Sequence, residues 1–183
     1  MTYATKTFVY WTYSGDTMLG RLIAWATDGP WCHMGIGFEL NNGARERYEA
    51  LKNSGFAGPK PYETLIEFGE ENPKRRMLVA YTDFGTEISE ALRQLCRSMV
   101  GQLSYNTEQL AFMALSERYR FPVPRSPDRT VCSEAVSRVL EPHIELRDAR
   151  RKTHDMVNPN SAWRRYVEVR SGYGAVTAPP AGR

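Results

Sequence analysis

The sequence predicts a single α+β domain whose central sheet is mainly antiparallel and packs against helices. A chain of 183 residues is long enough for one domain with a hydrophobic core and short for two. Strand-like segments and segments of helical periodicity are mixed, without the regular strand–helix–strand order of a parallel sheet. The turn-forming residues Asn41-Asn42-Gly43 separate two strand-like segments, which is typical of an antiparallel hairpin.

The composition is that of an ordinary globular protein and argues against several functional classes. A formal net charge of +3 is too small to indicate a nucleic-acid partner. Cys32, Cys96 and Cys132 have no paired spacing, which argues against a disulfide framework and favours a reducing compartment. The sequence shows no secretory signal and no apolar run of membrane-spanning length, so we expect a cytoplasmic protein without an integral membrane segment.

The N-terminal half is expected to hold four strand-like segments and one helix. The β-branched and aromatic run TFVYWTY predicts the first strand over residues 7–13. Asp16 is the expected N-cap of a helix that runs through Met18 and Trp25 and ends at Asp28-Gly29-Pro30. The following elements are strands over 31–40 and 44–51, a glycine- and proline-rich loop (NSGFAGPKP), a short segment over 62–68, and a strand over 76–81.

The C-terminal half is expected to be mainly helical. Ile88, Leu92, Leu95 and Met99 recur at helical spacing and predict a helix over 87–100 that stops at Gly101. The remaining predicted elements are a helix over 108–119, a buried helix in TVCSEAVSRVL, a helical region over 149–155 and a strand over 166–170. The domain is expected to span residues 1–183, with frayed tails at 1–6 and 174–183.

The strand after Pro30 has an unusual pair of faces. Alternate residues share a face, so Cys32, Met34, Ile36 and Phe38 form one side and Trp31, His33, Gly35 and Gly37 the other. The first set is typical of a core. Glycine weakens a strand and often marks the close approach of a ligand or of another chain segment, so the second set indicates a cleft beside His33. A lone strand histidine is more commonly structural.

The hairpin turn predicts a carboxylate near that histidine. A three-residue Asn41-Asn42-Gly43 loop pairs Gly35 with Glu49, which places Glu49 on the His33 face, one diagonal away. A carboxylate there can accept the imidazole N–H and fix its tautomer. A two-residue Asn42-Gly43 loop would instead turn Glu49 to the opposite face.

Cys132 is the candidate nucleophile for such a pair. With Thr130 as N-cap, Cys132 would lie in the first turn of a helix, where unpaired N–H groups and the helix dipole stabilise a thiolate. A neighbouring imidazolium would lower its pKa further. Free cysteines are also commonly buried without a chemical role, as we expect for Cys32 and Cys96.

Three motifs carry a resemblance to a known family. WCHMGIGFE, RYEALKNSGF and TVCSEAV resemble the His, Glu and Cys motifs of the circularly permuted NlpC/P60 (papain-like) cysteine hydrolases, the YiiX/YaeF-like group, in which the histidine precedes the cysteine. The segments LGRLIAWATDGPWCH and NPNSAW, with Gly101 and Tyr105 between them, extend the resemblance over about residues 10–170.

The resemblance implies a papain-like fold in permuted order and a Cys-His-Glu triad. In that triad Cys132 is the nucleophile, His33 the base and Glu49 the residue that orients the imidazole. Cys32 departs from the family, which usually has serine or another small polar residue there. No cofactor or metal is implied, and the expected substrate is an amide bond in a peptide or amino-acid derivative.

Several points stay open at this stage. The backbone N–H of Cys132 and a tyrosine are expected to hold the oxyanion, the tyrosine being Tyr10, Tyr166 or Tyr173. An acyltransferase or lipid or thioester hydrolase of the lecithin:retinol acyltransferase type is an alternative, and an apolar wall of Trp11, Trp25 and Trp31 would suit it. A non-catalytic binding module on the same fold is another. A zinc site of Cys32, His33, Cys96 and Cys132 is disfavoured, because adjacent strand residues point to opposite faces.

Overall fold

The computed structural model describes residues 1–65, 74–105, 129–144, 146 and 157–171. These residues form seven strands, four helices and one 3₁₀ turn. In chain order they are β1 (Ala4–Ser14), α1 (Met18–Ala26), β2 (His33–Leu40), β3 (Arg45–Leu51), β4 (Gly55–Pro61), the 3₁₀ turn (Tyr62–Leu65), β5 (Arg75–Tyr81), α2 (Thr86–Met99), β6 (Ser104–Tyr105), β7 (Arg129–Thr130), α3 (Cys132–Leu140) and α4 (Pro159–Ser171).

Five of the strands form one sheet in the order β4-β3-β2-β1-β5, and every neighbouring pair is antiparallel. The 11-residue strand β1 lies between β2 and β5 and is paired along most of its length. β6 and β7 form a separate, parallel two-stranded ladder. The α+β prediction with a mainly antiparallel sheet is confirmed.

The core lies between one face of this sheet and the helices. Side chains of period two on β1, β2 and β3 meet the apolar stripes of α2, α3 and α4, as expected for strands with one face buried. The fully buried members include Val9, Trp11, Met34, Ile36, Phe38, Tyr48, Cys96, Val136, Val139, Ala162 and Tyr166. Trp11 makes edge contacts with Trp163 and Tyr166 of α4.

The opposite face of the sheet carries a smaller apolar cluster. Phe8, Tyr10 and Leu65 are its buried members, and Tyr62 of the 3₁₀ turn packs edge-on against Phe8. The guanidinium of Arg45 lies 4.1 Å from the centre of the Tyr62 ring. The 3₁₀ turn therefore covers part of the face on which His33 was expected.

A buried ion pair fixes α2 to the sheet. The side chain of Arg93 on α2 is 1% exposed, and its Nε donates to Glu46 Oε1 of β3 at 2.6 Å. Its Nη1 donates to the carbonyl of Thr2 and to Glu90, and Glu90 in turn accepts from the N–H of Ala4 at 2.6 Å. This network holds the start of β1, so residues 4–6, expected in a frayed tail, belong to the sheet.

Two predicted elements differ from the structure. The NSGFAGPKP loop contains strand β4, which is possible because β4 is an edge strand, where proline is tolerated. The strand expected over 166–170 lies within helix α4. Asn158 accepts a hydrogen bond from the N–H of Ser161, as an N-cap does, and Pro159 occupies the first helical position.

The helix caps also differ from the prediction. Thr17, rather than Asp16, caps α1 by accepting from the N–H of Gly20, and Asp16 instead forms an ion pair with Arg75 at 2.6 Å. Val131, rather than Thr130, precedes α3, because Thr130 belongs to β7. The apolar side chain of Val131 has no acceptor and makes no cap. The predicted elements over 108–119 and 149–155, the end of the 62–68 segment and the C-terminal tail lie outside the described residues.

The apolar wall that would suit an acyl substrate does not form from the three tryptophans. Trp11 and Trp31 are buried in the core, whereas Trp25 is 55% exposed on α1. None of the helices in the described part of the chain is both long and apolar enough to cross a membrane.

The ion pair between Arg93 and Glu46 generates a stability prediction. Arg93→Met leaves Glu46 and Glu90 without their buried partner and should lower the free energy of unfolding by about 3–5 kcal/mol. Urea unfolding measures this as a lower midpoint with an unchanged slope. Lys6→Met, which removes the exposed ion pair with Glu39, is the control and should change the midpoint little. Equal effects of the two variants would contradict the role given to Arg93.

Candidate active site

The hairpin of β2 and β3 has the predicted register. Gly43 adopts a φ of 82°, the left-handed conformation expected at the third position of the loop, and its N–H donates to the carbonyl of Leu40. Leu40 N–H donates to Ala44 at 2.8 Å, and Ile36 lies opposite Tyr48. Continuing this ladder by one residue on each strand brings Gly35 opposite Glu49.

His33 and Glu49 are directly hydrogen-bonded. The distance between His33 Nε2 and Glu49 Oε2 is 2.9 Å. The Glu49 side chain is 5% exposed and that of His33 is 21% exposed, so the imidazole is the accessible end of the pair. Since Nε2 is engaged by the carboxylate, Nδ1 is the ring nitrogen left for another partner.

The glycines beside His33 accommodate aromatic side chains rather than an open cleft. A Cβ atom on Gly35 would lie 2.3 Å from the ring of Tyr10, and one on Gly37 would lie 2.2 Å from the ring of Phe8. Both aromatic residues come from β1, where Tyr10 pairs with Gly35 and Phe8 with Gly37. The close approach expected from the glycines is therefore made by the neighbouring strand, and the interpretation of this face as a cleft is corrected.

Tyr10 crosses Gly35 to reach the carboxylate. Its hydroxyl donates to Glu49 Oε2 at 2.9 Å, the same oxygen that His33 contacts. Burial raises the pKa of the Tyr10 phenol, and the nearby Arg47 guanidinium opposes that rise. The phenol therefore stays protonated and remains a donor to Glu49. Tyr10 was one of three tyrosines expected as a possible oxyanion donor, and in the structure its hydroxyl is directed at the carboxylate.

Two cations complete the environment of Glu49. Arg47 Nη1 donates to Oε1, and its Nη2 donates to Thr64 in the 3₁₀ turn at 2.9 Å. Lys60 Nζ on β4 lies 3.6 Å from the same carboxylate oxygen. Each of these donors offsets part of the cost of burying the carboxylate away from water.

Cys132 is the first residue of α3 and is 1% exposed. The pKa of its thiol is set by opposing effects. Burial raises the pKa, but the charge and the hydrogen bond of His33, together with the N–H groups of Met34 and Ser133, bring it below the ordinary value. A thiol held beside an imidazole and a helix start is thus stabilised as a thiolate.

The other two cysteines have the opposite electrostatic environment. Cys96 is fully buried in α2, and burial raises its thiol pKa. Cys32 is buried too, although it packs with Ile23 and Val131 rather than in the main core expected for it. Its pKa is raised by burial in the first place, and its sulfur contacts the N–H of Ser14 and the carbonyl of Thr12.

Of the other two expected oxyanion donors, only Tyr166 is among the described residues. Tyr166 is buried in the core and donates to the carbonyl of Tyr81 at 3.1 Å, and Tyr173 lies outside the described residues. Tyr105, which the sequence placed only in the segment before the cysteine helix, is close to the thiol. Burial raises the pKa of its phenol most, and the charges of Cys132 and Cys32 add to the rise.

Asn160 holds the turn that leads into His33, and this contact was missed from the sequence. Its Oδ1 accepts from the N–H of Trp31 at 2.9 Å, and its Nδ2 donates to the carbonyl of Trp31 and to Thr27. A buried amide that pairs three groups of one turn fixes that turn firmly. The only sequence signal was its place in the NPNSAW motif.

A metal centre finds no support in the described parts of the chain. No group of three or more His, Cys, Asp or Glu side chains there is placed to hold a metal ion.

The comparisons with known proteins bear on the fold. No family model matches the sequence, and no curated protein matches it significantly. The structure is similar to the crystal structure of the metalloprotein YiiX from Escherichia coli O157:H7, with a TM-score of 0.54 and 19% sequence identity. The match covers 76% of this chain and 66% of that chain. The chain therefore has a YiiX-type fold, the fold of the group that its three motifs resemble.

The contact between Gly35 and Tyr10 can be tested by a double-mutant cycle. Gly35→Ala should destabilise the protein by about 1–3 kcal/mol, because the new methyl group collides with the phenol ring. In a Tyr10→Leu background the ring is gone, and the same substitution should cost little. Chemical denaturation of the four proteins gives the coupling energy, expected to be at least about 1 kcal/mol. An equal cost in both backgrounds would contradict this packing.

Proposed function

We propose that the protein is a thiol hydrolase of the circularly permuted, papain-like NlpC/P60 type. One observation carries the proposal: His33 is hydrogen-bonded through Nε2 to a buried carboxylate and lowers the pKa of Cys132, a cysteine at a helix start. In this arrangement a base activates the nucleophile, and a third group orients the base. The YiiX-type fold and the three motifs support the same proposal.

The proposed reaction begins from a Cys132 thiolate paired with the His33 imidazolium. The thiolate attacks a substrate carbonyl carbon, and the imidazolium then transfers its proton to the leaving amine as the bond to carbon breaks. The acyl group remains on Cys132 as a thioester. His33, now neutral, removes a proton from a water molecule that attacks the thioester, and the released thiolate is again paired with the imidazolium.

Glu49 acts on the reaction through the imidazole. Its hydrogen bond to Nε2 fixes the ring and leaves Nδ1 for the thiol, and its charge stabilises the imidazolium. Tyr10 and Arg47 are positioning residues, because they hold the carboxylate and not the substrate. The oxyanion is held in part by backbone N–H groups at the start of α3, where the first turn lacks helical acceptors.

The proposed substrate is an amide bond in a peptide or amino-acid derivative. An acyl substrate, as ester or thioester, is the second candidate. The observation that favours it is the apolar lining next to the thiol, where Ile23 of α1 packs against Cys32 and against Val131, the neighbour of Cys132. A binding module without turnover would keep the fold but would not need an activated thiol.

Alkylation of Cys132 against pH tests the activated thiol. The thiolate fraction rises through the thiol pKa, and that pKa is lowered in the folded protein. The iodoacetamide rate should therefore rise at a pH below the ordinary cysteine value of about 8.5. His33→Ala removes the cation and leaves burial as the main effect, so the inflection should move above that value. Glu49→Gln should give a smaller upward shift.

The other two thiols are internal controls for this experiment. Cys32 and Cys96 have raised pKa values and should label more slowly than Cys132 in the folded protein, as peptide mapping by mass spectrometry would show. A profile like that of free cysteine, unchanged by His33→Ala, would mean that Cys132 is a structural residue, and the binding-module reading would then hold.

Trapping of the acyl-enzyme separates the two substrate classes. The protein would be incubated with matched aminoacyl amides, fatty-acyl esters and fatty-acyl thioesters, and the mass of the intact chain followed with time. Substrates of the true class should add one acyl group to Cys132 and release the leaving group in a burst. Cys132→Ala, which leaves little cavity, should retain the folded state and give neither adduct nor turnover. Adducts that persist in Cys132→Ala would rule out the proposed nucleophile.

A further inference from the structure

The outward face of α1 exposes an apolar surface. The exposed fractions are 78% for Met18, 46% for Leu19, 45% for Leu22 and 55% for Trp25. Met18, Leu22 and Trp25 follow the spacing i, i+4, i+7 and so lie along one side of the helix. These four are half of the eight large hydrophobic side chains exposed among the described residues, and they fall within nine residues of chain.

This exposure is not a by-product of packing α1 on the domain. The inner face of the helix already buries Gly20, Ile23 and Ala26. A Cβ atom on Gly20 would lie 2.2 Å from the carbonyl oxygen of Ser14, so the inner face is tightly seated. A helix that is apolar on both sides needs a second apolar environment for its outer face, and clustered exposed apolar groups mark interaction sites.

Basic residues border this face. Arg21 is exposed on α1 itself, between the apolar positions. The start of β5 runs beside the residues that lead into α1: Ser14 lies opposite Arg75, and Gly15 N–H donates to the carbonyl of Lys74 at 2.7 Å. Arg76, next along β5, is exposed and lies over the ring of Tyr13.

The acidic residue at the start of α1 does not cancel this charge. Asp16 is ion-paired with Arg75, and the exposed arginines Arg21 and Arg76 supply positive charge at this end of the helix. An apolar ridge containing tryptophan, leucine and methionine, with arginine at its border, is complementary to a bilayer surface. Such a helix inserts its apolar side chains at the acyl boundary while its cations meet anionic headgroups.

We propose that the outer face of α1 docks the protein on a lipid bilayer that carries anionic headgroups. The helix would lie in the plane of the interface, with Met18, Leu22 and Trp25 inserted and the basic border at headgroup level. The docking surface is adjacent to the candidate site, because Ile23 on the inner face of α1 packs against Cys32 and Val131, the chain neighbours of His33 and Cys132. Docking is independent of the proposed thiol chemistry.

Vesicle flotation with the full chain tests the apolar part of this surface. The protein should float with vesicles of mixed phosphatidylcholine and phosphatidylserine. The double substitution Met18→Glu, Leu22→Glu should reduce the bound fraction about tenfold or more, because it places charges at the acyl boundary. Leu95→Glu is the matched control, since Leu95 is an exposed leucine on α2, and its binding should stay within about twofold of the parent protein.

The charge border is tested with the same vesicles. Arg21→Gln and Arg76→Gln should each weaken binding to the phosphatidylserine mixture about fivefold. They should have little effect on any binding to phosphatidylcholine alone, and added salt should reproduce their effect. Iodoacetamide labelling of Cys132 should be unchanged in all these variants, which separates a failure of docking from a failure of the thiol proposal.

Three outcomes would overturn the docking proposal. The first is that the protein floats with neither kind of vesicle. The second is that the Met18, Leu22 double variant binds as well as Leu95→Glu. The third is that analytical ultracentrifugation shows a dimer that the double variant dissociates, without vesicle binding by the parent protein, which would assign the face to a second copy of the chain.

Discussion

A buried carboxylate must be surrounded by donors, and Glu49 imposes this requirement on four adjacent strands of the sheet. Tyr10 comes from β1, His33 from β2, Arg47 from β3 and Lys60 from β4, and all four reach the same two oxygens. The order β4-β3-β2-β1 is thus stabilised by side-chain electrostatics as well as by the backbone ladder. The geometry around the candidate base is a property of the whole sheet, and it does not depend on one hairpin alone.

Contacts between residues close together in the sequence were predicted, and contacts between distant segments were not. The pairing of His33 with Glu49 follows from a three-residue turn and from period-two alternation, both of which can be read from one short segment. The group that approaches Gly35 depends on which strand lies beside β2. The residue pattern does not give the strand order. The contact of Tyr10 with Glu49 was therefore not predicted, and Asn160, which acts across 129 positions, was missed.

The secondary structure was also predicted best where the signal is local. Long segments with clear periodicity, such as β1 and α2, were predicted within a few residues. The edge strand β4 was hidden by glycine and proline, since composition alone does not indicate that one side of a strand faces no partner. The alternation in YVEVR suggested a strand, but packing of Ala162 and Tyr166 against the core and the Asn158-Pro159 start favour a helix. The Asn158-Pro159 pair is a helix-start signal in the sequence that was overlooked.

The chain order of the three candidate residues determines when, during folding, the pKa of the Cys132 thiol is lowered. His33 and Glu49 are 16 positions apart within one hairpin, whereas Cys132 lies 83 positions after Glu49. Local pairings close small loops and form early, and distant ones require the rest of the domain. Until α3 docks on β2, the sulfur has neither its imidazole nor the N–H of Met34 and keeps an ordinary affinity for its proton. In a nascent or misassembled chain the thiol therefore keeps an ordinary pKa, and the lowered pKa develops only once the tertiary structure is complete.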